Sequence, residues 1–107
     1  MRTTLIVATL AFAASNAVMA ASIENGKALS AQCSACHGKD GISRDPEAPN
    51  LAGQSAIYLE KQLVDYKSGA RNDRRMSLIA QMLDMDKIKD LSAYYAAFKV
   101  TAIPPEL

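Results

Sequence analysis

Both cysteines and the only histidine of this chain fall within five consecutive residues, Cys33-Ser34-Ala35-Cys36-His37. That placement constrains the fold more than any other feature. On a helix, residues three and four apart share a face. Cys33, Cys36 and His37 can therefore present two thiols and an imidazole to one object lying against a single helical surface. The rest of the chain gives such an object a structural purpose. It has no Trp, two Phe and four Tyr, a thin supply of large side chains for a core. A small domain buries a limited fraction of its surface and commonly depends on a staple, a metal or a cofactor.

The pattern is C-x-x-C-H, the attachment signature for c-type haem. In that reading the thiols of Cys33 and Cys36 add to the haem vinyl groups as thioethers, and the imidazole of His37 is the proximal iron ligand. Four other readings compete. A thioredoxin-like redox pair uses C-x-x-C in a βαβ context, which this sequence lacks. A structural zinc site needs four ligands, and two Cys with one His fall short unless a carboxylate joins or chains pair. A Cys33–Cys36 disulfide suits an oxidising compartment but closes only a tiny loop. Chance is the last, since the motif has three fixed letters. If iron is six-coordinate, the sixth ligand cannot be a second His of this chain. Met commonly partners His in electron-transfer cytochromes and raises the potential. Beyond the N-terminal segment, Met76, Met82 and Met85 are available, and gap-filling packing is the plain alternative for each.

The first twenty residues differ in character from the rest. Arg2 supplies a positive start, Leu5 to Ala14 is apolar apart from Thr9, and Val18-Met19-Ala20 offers residues that a signal peptidase accepts. This three-part pattern predicts a secretory leader over residues 1–20, cut after Ala20 or, failing that, after Ala21. The apolar run is shorter than the roughly 20 residues a membrane span needs. The domain is then 21–107, and the location is the bacterial periplasm. With 12 basic and 11 acidic residues in the whole chain, losing Arg2 leaves the domain balanced. No basic excess points to nucleic acid.

Three stretches carry helical periodicity. Residues 22–37 have Ser22 as a candidate N-cap and Glu24 in the first turn. In residues 55–68, Tyr58, Leu59, Gln62, Leu63 and Tyr66 recur at three- and four-residue steps, and Gly69 can close the helix in a left-handed cap. In residues 86–98, Ile88, Leu91, Tyr95 and Phe98 form an apolar stripe, and Pro104-Pro105 lies beyond it. A shorter helix is expected over 77–83. Residues 38–54, with three Gly and two Pro, read as a long irregular loop, which in a small domain is generally functional. No stretch alternates apolar and polar residues in the manner of a strand. The fold class is all-α.

These residues resemble a short class I cytochrome c, closest to the c553 type and to single domains of cytochrome c4. The matching text is Gly26-Lys27-Ala28-Leu29, Cys33 to Gly38, Lys39-Asp40-Gly41 and Pro49-Asn50-Leu51-Ala52-Gly53-Gln54. It continues with Tyr58-Leu59, Gln62-Leu63, Gly69-Ala70-Arg71 leading to Met76, and Asp90-Leu91-Ser92-Ala93-Tyr94-Tyr95-Ala96. The resemblance implies three main helices and a short one around one covalently bound haem c. It implies Met76 as the sixth ligand, with Met82 as runner-up. It makes Pro49 the residue whose carbonyl accepts a hydrogen bond from the His37 ring, a contact that tunes ligand basicity. Gly26 and Tyr94 or Tyr95 match positions where the first and last helices cross. Two departures stand out: no proline shortly precedes Met76, and Leu29 takes a place often held by an aromatic.

The function expected is single-electron transfer through a His/Met-ligated haem between redox partner proteins. No small-molecule substrate is turned over, and contact with a membrane comes only through partners. Leu51, Leu59, Leu63, Ile79 and Leu91 are the candidates for a dry haem pocket. Lys61, Lys67, Arg71, Arg74 and Arg75 form a local basic cluster, either a docking patch for an acidic partner or a solvated face, with Arg71 reaching a haem propionate. Two alternatives are a haem-bearing subunit of a periplasmic dehydrogenase complex and a gas-binding haem sensor with an open sixth site.

Overall fold

The computed structural model describes residues 20–107. The leader assigned to residues 1–20 falls, apart from Ala20, outside the described residues. The described residues form helices α1 (Ile23–Leu29), α2 (Ser34–His37), α3 (Ala56–Ser68), α4 (Met76–Gln81) and α5 (Met85–Ala96). A single 3-10 turn, Ser30–Gln32, joins α1 to α2. No strand occurs among the described residues, which confirms the all-α class.

The continuous helix expected over 22–37 is broken into three pieces. Two serines explain the break. Ser30 Oγ donates to the Lys27 carbonyl (2.7 Å) and Ser34 Oγ to the Ala31 carbonyl (2.8 Å). Such back-bonds compete with the helical ladder. The start is as expected: Ser22 Oγ accepts from the Asn25 amide at 3.1 Å. Helix α3 begins behind Ser55, whose side chain accepts from Tyr58 N, and it ends on Gly69 at φ 85. Ser55→Ala should cost about 1 kcal/mol, the usual worth of such a cap, read from the urea unfolding midpoint. Helix α5 starts at Met85, one residue earlier than expected. Its cap is Asp84, whose carboxylate accepts from Lys87 N at 2.9 Å.

Helices α1 and α3 both pack on α5, and α4 packs on α3. The buried cluster is Leu59, Leu83, Ile88, Leu91 and Tyr95, with Leu29, Cys33, Leu51 and Leu63 among those packed against it. Where α1 crosses α5 the backbones nearly touch. A Cβ built on Gly26 would lie 2.1 Å from the Asp90 carbonyl oxygen and 2.6 Å from Tyr94 Cβ. Of the two tyrosines expected at this crossing, Tyr94 is therefore the one in contact. Asp90 also ties down the chain entering α1, its carboxylate accepting from Ser22 N at 2.6 Å.

Candidate functional site

The sequence between α2 and α3 folds into a loop held by its own polar groups. The Gly41 carbonyl accepts from both Leu51 N (2.8 Å) and Ala52 N (3.1 Å). Asn50 Oδ1 accepts from Ser43 N at 2.7 Å. Ser43 Oγ donates towards the Cys36 carbonyl (2.9 Å) and accepts from Asp45 N (3.1 Å). The turn out of α2 requires Gly38. Its φ is 82, and a Cβ there would meet the Ile42 carbonyl oxygen at 2.0 Å. This geometry folds the loop back over the end of α2, so that Pro49 comes beside His37.

The His37 side chain is 6% exposed, and its Nδ1 lies 2.8 Å from the Pro49 carbonyl oxygen. A carbonyl can only accept, so Nδ1 carries the proton. With the proton on Nδ1, the Nε2 lone pair is the one that can serve a metal. Pro49 has no amide hydrogen of its own, so its carbonyl serves the ring while no donor is left orphaned beside it.

Cys33, Cys36 and His37 line one cavity of about 510 Å³. Met76 reaches the same cavity from α4. All five aliphatic side chains expected in the pocket, Leu51, Leu59, Leu63, Ile79 and Leu91, line it as well. Met82 and Met85 do not; they are 59% and 43% exposed. Sequence reasoning did not single out Ser92, which is buried in the cavity wall with its hydroxyl bonded to the Ile88 carbonyl at 2.7 Å. A lone serine on an apolar stripe carries no signal of that role.

The chemistry of the cysteines separates the competing readings. Burial pushes the Cys33 thiol up from its ordinary value, and the adjoining Tyr95 hydroxyl only opposes this. A redox-active C-x-x-C pair is instead tuned to a lowered value. Cys33 and Cys36 are not bonded to each other in the structure. Among the described residues, no three His, Cys, Asp or Glu side chains converge as a metal-ion site, so zinc finds no ligand set.

A family model described as Cytochrome c matches residues 23–96. The chain belongs to the cytochrome c family. Its likeness is to the c4 type: it is 44% identical over 77 residues to cytochrome c4 of Pseudomonas aeruginosa, covering 71% of this chain and 38% of that protein. The crystal structure of reduced recombinant cytochrome c4 from Pseudomonas stutzeri superposes with a TM-score of 0.70 at 37% identity, over 75% of this chain and 47% of that one. The chain thus spans less than half the length of these c4 relatives. It is also 34% identical over 88 residues to the cytochrome subunit of sulfide dehydrogenase of Chlorobaculum tepidum, covering 82% of this chain and 79% of that protein.

Cytochromes c are electron-transfer haem proteins, and membership implies covalently held haem c. The residues of this cytochrome fit that group. Two thiols on one helical face, an imidazole held through Nδ1, a thioether sulfur and an aliphatic wall are the donor set and the surroundings it requires. No helix among the described residues is long and apolar enough to cross a membrane.

The basic cluster is partly tied into the protein's own polar network. Lys61 pairs with Asp65 within α3. Lys67 Nζ donates to the Gln81 carbonyl at 3.3 Å. Arg71 donates to Gln62 Oε1 and lies 4.6 Å over the Tyr66 ring. Arg74 pairs with Glu47 at 2.7 Å and Arg75 with Asp45 at 2.8 Å. Lys61, Arg74 and Arg75 are paired with carboxylates, whereas Lys67 and Arg71 bond neutral oxygens and keep their charge. The partners sit up to thirty residues away in sequence, beyond the reach of any local charge pattern.

Proposed function

We propose that this chain is exported as residues 21–107 to the periplasm and works there as a single-haem, single-electron carrier. Cys33 and Cys36 hold the haem, and His37 and Met76 are its axial ligands. The observation that carries the reading is the convergence of two thiols, the His37 ring and one thioether on a single apolar-walled cavity. When bound, the haem supplies a one-electron ferrous/ferric couple. The protein's part is to fix ligands, exclude water and set the potential.

His37 performs the first of these tasks. Its bond to Pro49 holds both the tautomer and the ring plane, so the imidazole can serve either oxidation state without rotating. The leucines and Ile79 supply a low dielectric, which disfavours the extra charge of the oxidised state and so raises the potential. The thioether of Met76 acts in the same direction.

The test is acid–acetone extraction of protein made in a host with working haem-attachment machinery. Colour should stay with the precipitated wild-type polypeptide. The Cys33→Ala/Cys36→Ala double variant should lose at least tenfold of its haem to the acetone phase. A colourless wild type, or haem that extracts freely from it, would overturn the reading.

A second reading rests on the match to the sulfide dehydrogenase cytochrome subunit, which runs along most of both chains. In it the same residues pass electrons from a larger catalytic subunit of a dehydrogenase. Co-elution with such a subunit on size exclusion supports this version; a lone small species supports the free carrier.

A further inference from the structure

We propose that Arg75 is a positioning residue that locks the Met76 segment to the haem-attachment loop; this rests on the assignment of Met76 as sixth ligand. Met76 opens α4 behind a tightly bonded turn. The turn before it is built by Asp73, whose Oδ1 accepts from both Arg75 N and Met76 N at 2.8 Å. Ser77 Oγ accepts in turn from Asp73 N at 3.0 Å. This local turn orients the start of α4 but does not tie it to the opposite side of the cavity.

Arg75 makes that tie. Its guanidinium donates to Asp45 Oδ2 at 2.8 Å and to the Glu47 carbonyl at 3.3 Å, and it lies 3.5 Å from Glu47 Oε2. Asp45 is not a loose surface acid. Its amide donates to Ser43 Oγ, and Ser43 Oγ lies 2.9 Å from the Cys36 carbonyl oxygen. Asp45 Oδ1 also accepts from Glu47 N at 2.8 Å. A run of polar contacts therefore leads from Cys36 through Ser43 and Asp45 to Arg75, the neighbour of Met76. Arginine suits the role because its rigid planar fork presents separate donors to a carboxylate and a carbonyl, whereas a lysine ammonium is a single point charge on a flexible stem. The Arg75 side chain is 34% exposed, against 74% for Arg74, whose pair with Glu47 is left to solvent. Exposed pairs contribute little, so the two adjacent arginines are unequal.

The consequence is kinetic. Displacement of a methionine ligand requires the Met76 segment to lift away from the cavity, and the Arg75 contacts oppose that motion. The experiment is stopped-flow binding of imidazole to the ferric holoprotein. Arg75→Gln should keep the sulfur-to-iron band at rest and take up imidazole about tenfold faster. Asp45→Asn should accelerate it in the same direction, and the double variant should be no faster than Arg75→Gln alone, as for residues acting as one pair. Arg74→Gln should stay within twofold of wild type. If Arg75→Gln lowers the unfolding midpoint but leaves the imidazole rate unchanged, the pair is merely structural and the proposal fails. If Arg74→Gln accelerates binding as much as Arg75→Gln, the effect is one of net charge and the proposal also fails. A sulfur-to-iron band that survives Met76→Ala overturns the ligand assignment and the lock together.

Discussion

Met76→Ala should abolish the far-red sulfur-to-iron band of the oxidised protein and open the iron to carbon monoxide in the reduced state, without denaturation. Met76 is the methionine that lines the cavity among those described, and the chain has no second histidine to replace it. The potential should fall on the order of 0.1–0.2 V, a modest part of the roughly 0.8 V that axial ligands command. The fold should survive, because Met76 is only half-buried and lies outside the buried cluster. Spectroelectrochemistry reads both effects in one sample. Carbon monoxide binding to the reduced wild type at a comparable rate would instead favour the open-site sensor.

Gly26→Val should be strongly destabilising, by about 3 kcal/mol or more. The atom that a Cβ would strike, at 2.1 Å, is the Asp90 carbonyl oxygen. That is backbone inside α5, which cannot swing aside as a side chain would. The helices would have to separate, and the packing of Leu29, Tyr94 and Tyr95 would loosen with them. Against a typical stability of about 5–15 kcal/mol this is a large share. Gly26→Ala gives the sharper test. Alanine favours a helix over glycine by about 1 kcal/mol, so a purely local view predicts stabilisation. The crossing predicts net loss, read from the guanidinium unfolding midpoint of the holoprotein. A Gly26→Ala protein as stable as wild type would show that α1 can retreat from α5 at no cost.

The two predictions differ in how far the sequence alone could have led to them. The Met76 assignment came from order along the chain, and the cavity lining agrees with it. The helices α3 and α5 were legible because their apolar residues recur with the helical period and end on recognisable caps. The break in the first helix was not legible from periodicity, because two serine hydroxyls took over the bonds of adjacent carbonyls. The pairing of Arg74 and Arg75 was not legible for a deeper reason. Charge counted along a sequence shows Lys61, Lys67, Arg71, Arg74 and Arg75 as a cluster, and the Asp45 and Glu47 that pair with Arg75 and Arg74 belong to another loop.

What the sequence by itself determined is the chemistry that depends on residues within a few positions of one another. Cys33, Cys36 and His37 share a face because the helix repeats every 3.6 residues. The all-α class follows from the same local periodicity. What only the tertiary structure decided depends on partners far apart in the chain. Asp45 holds Arg75 across thirty residues. Gly26 meets Asp90 across the helix crossing. Hydrogen bonds and close packing act over a few ångströms of space, and folding decides which distant residues come within that range.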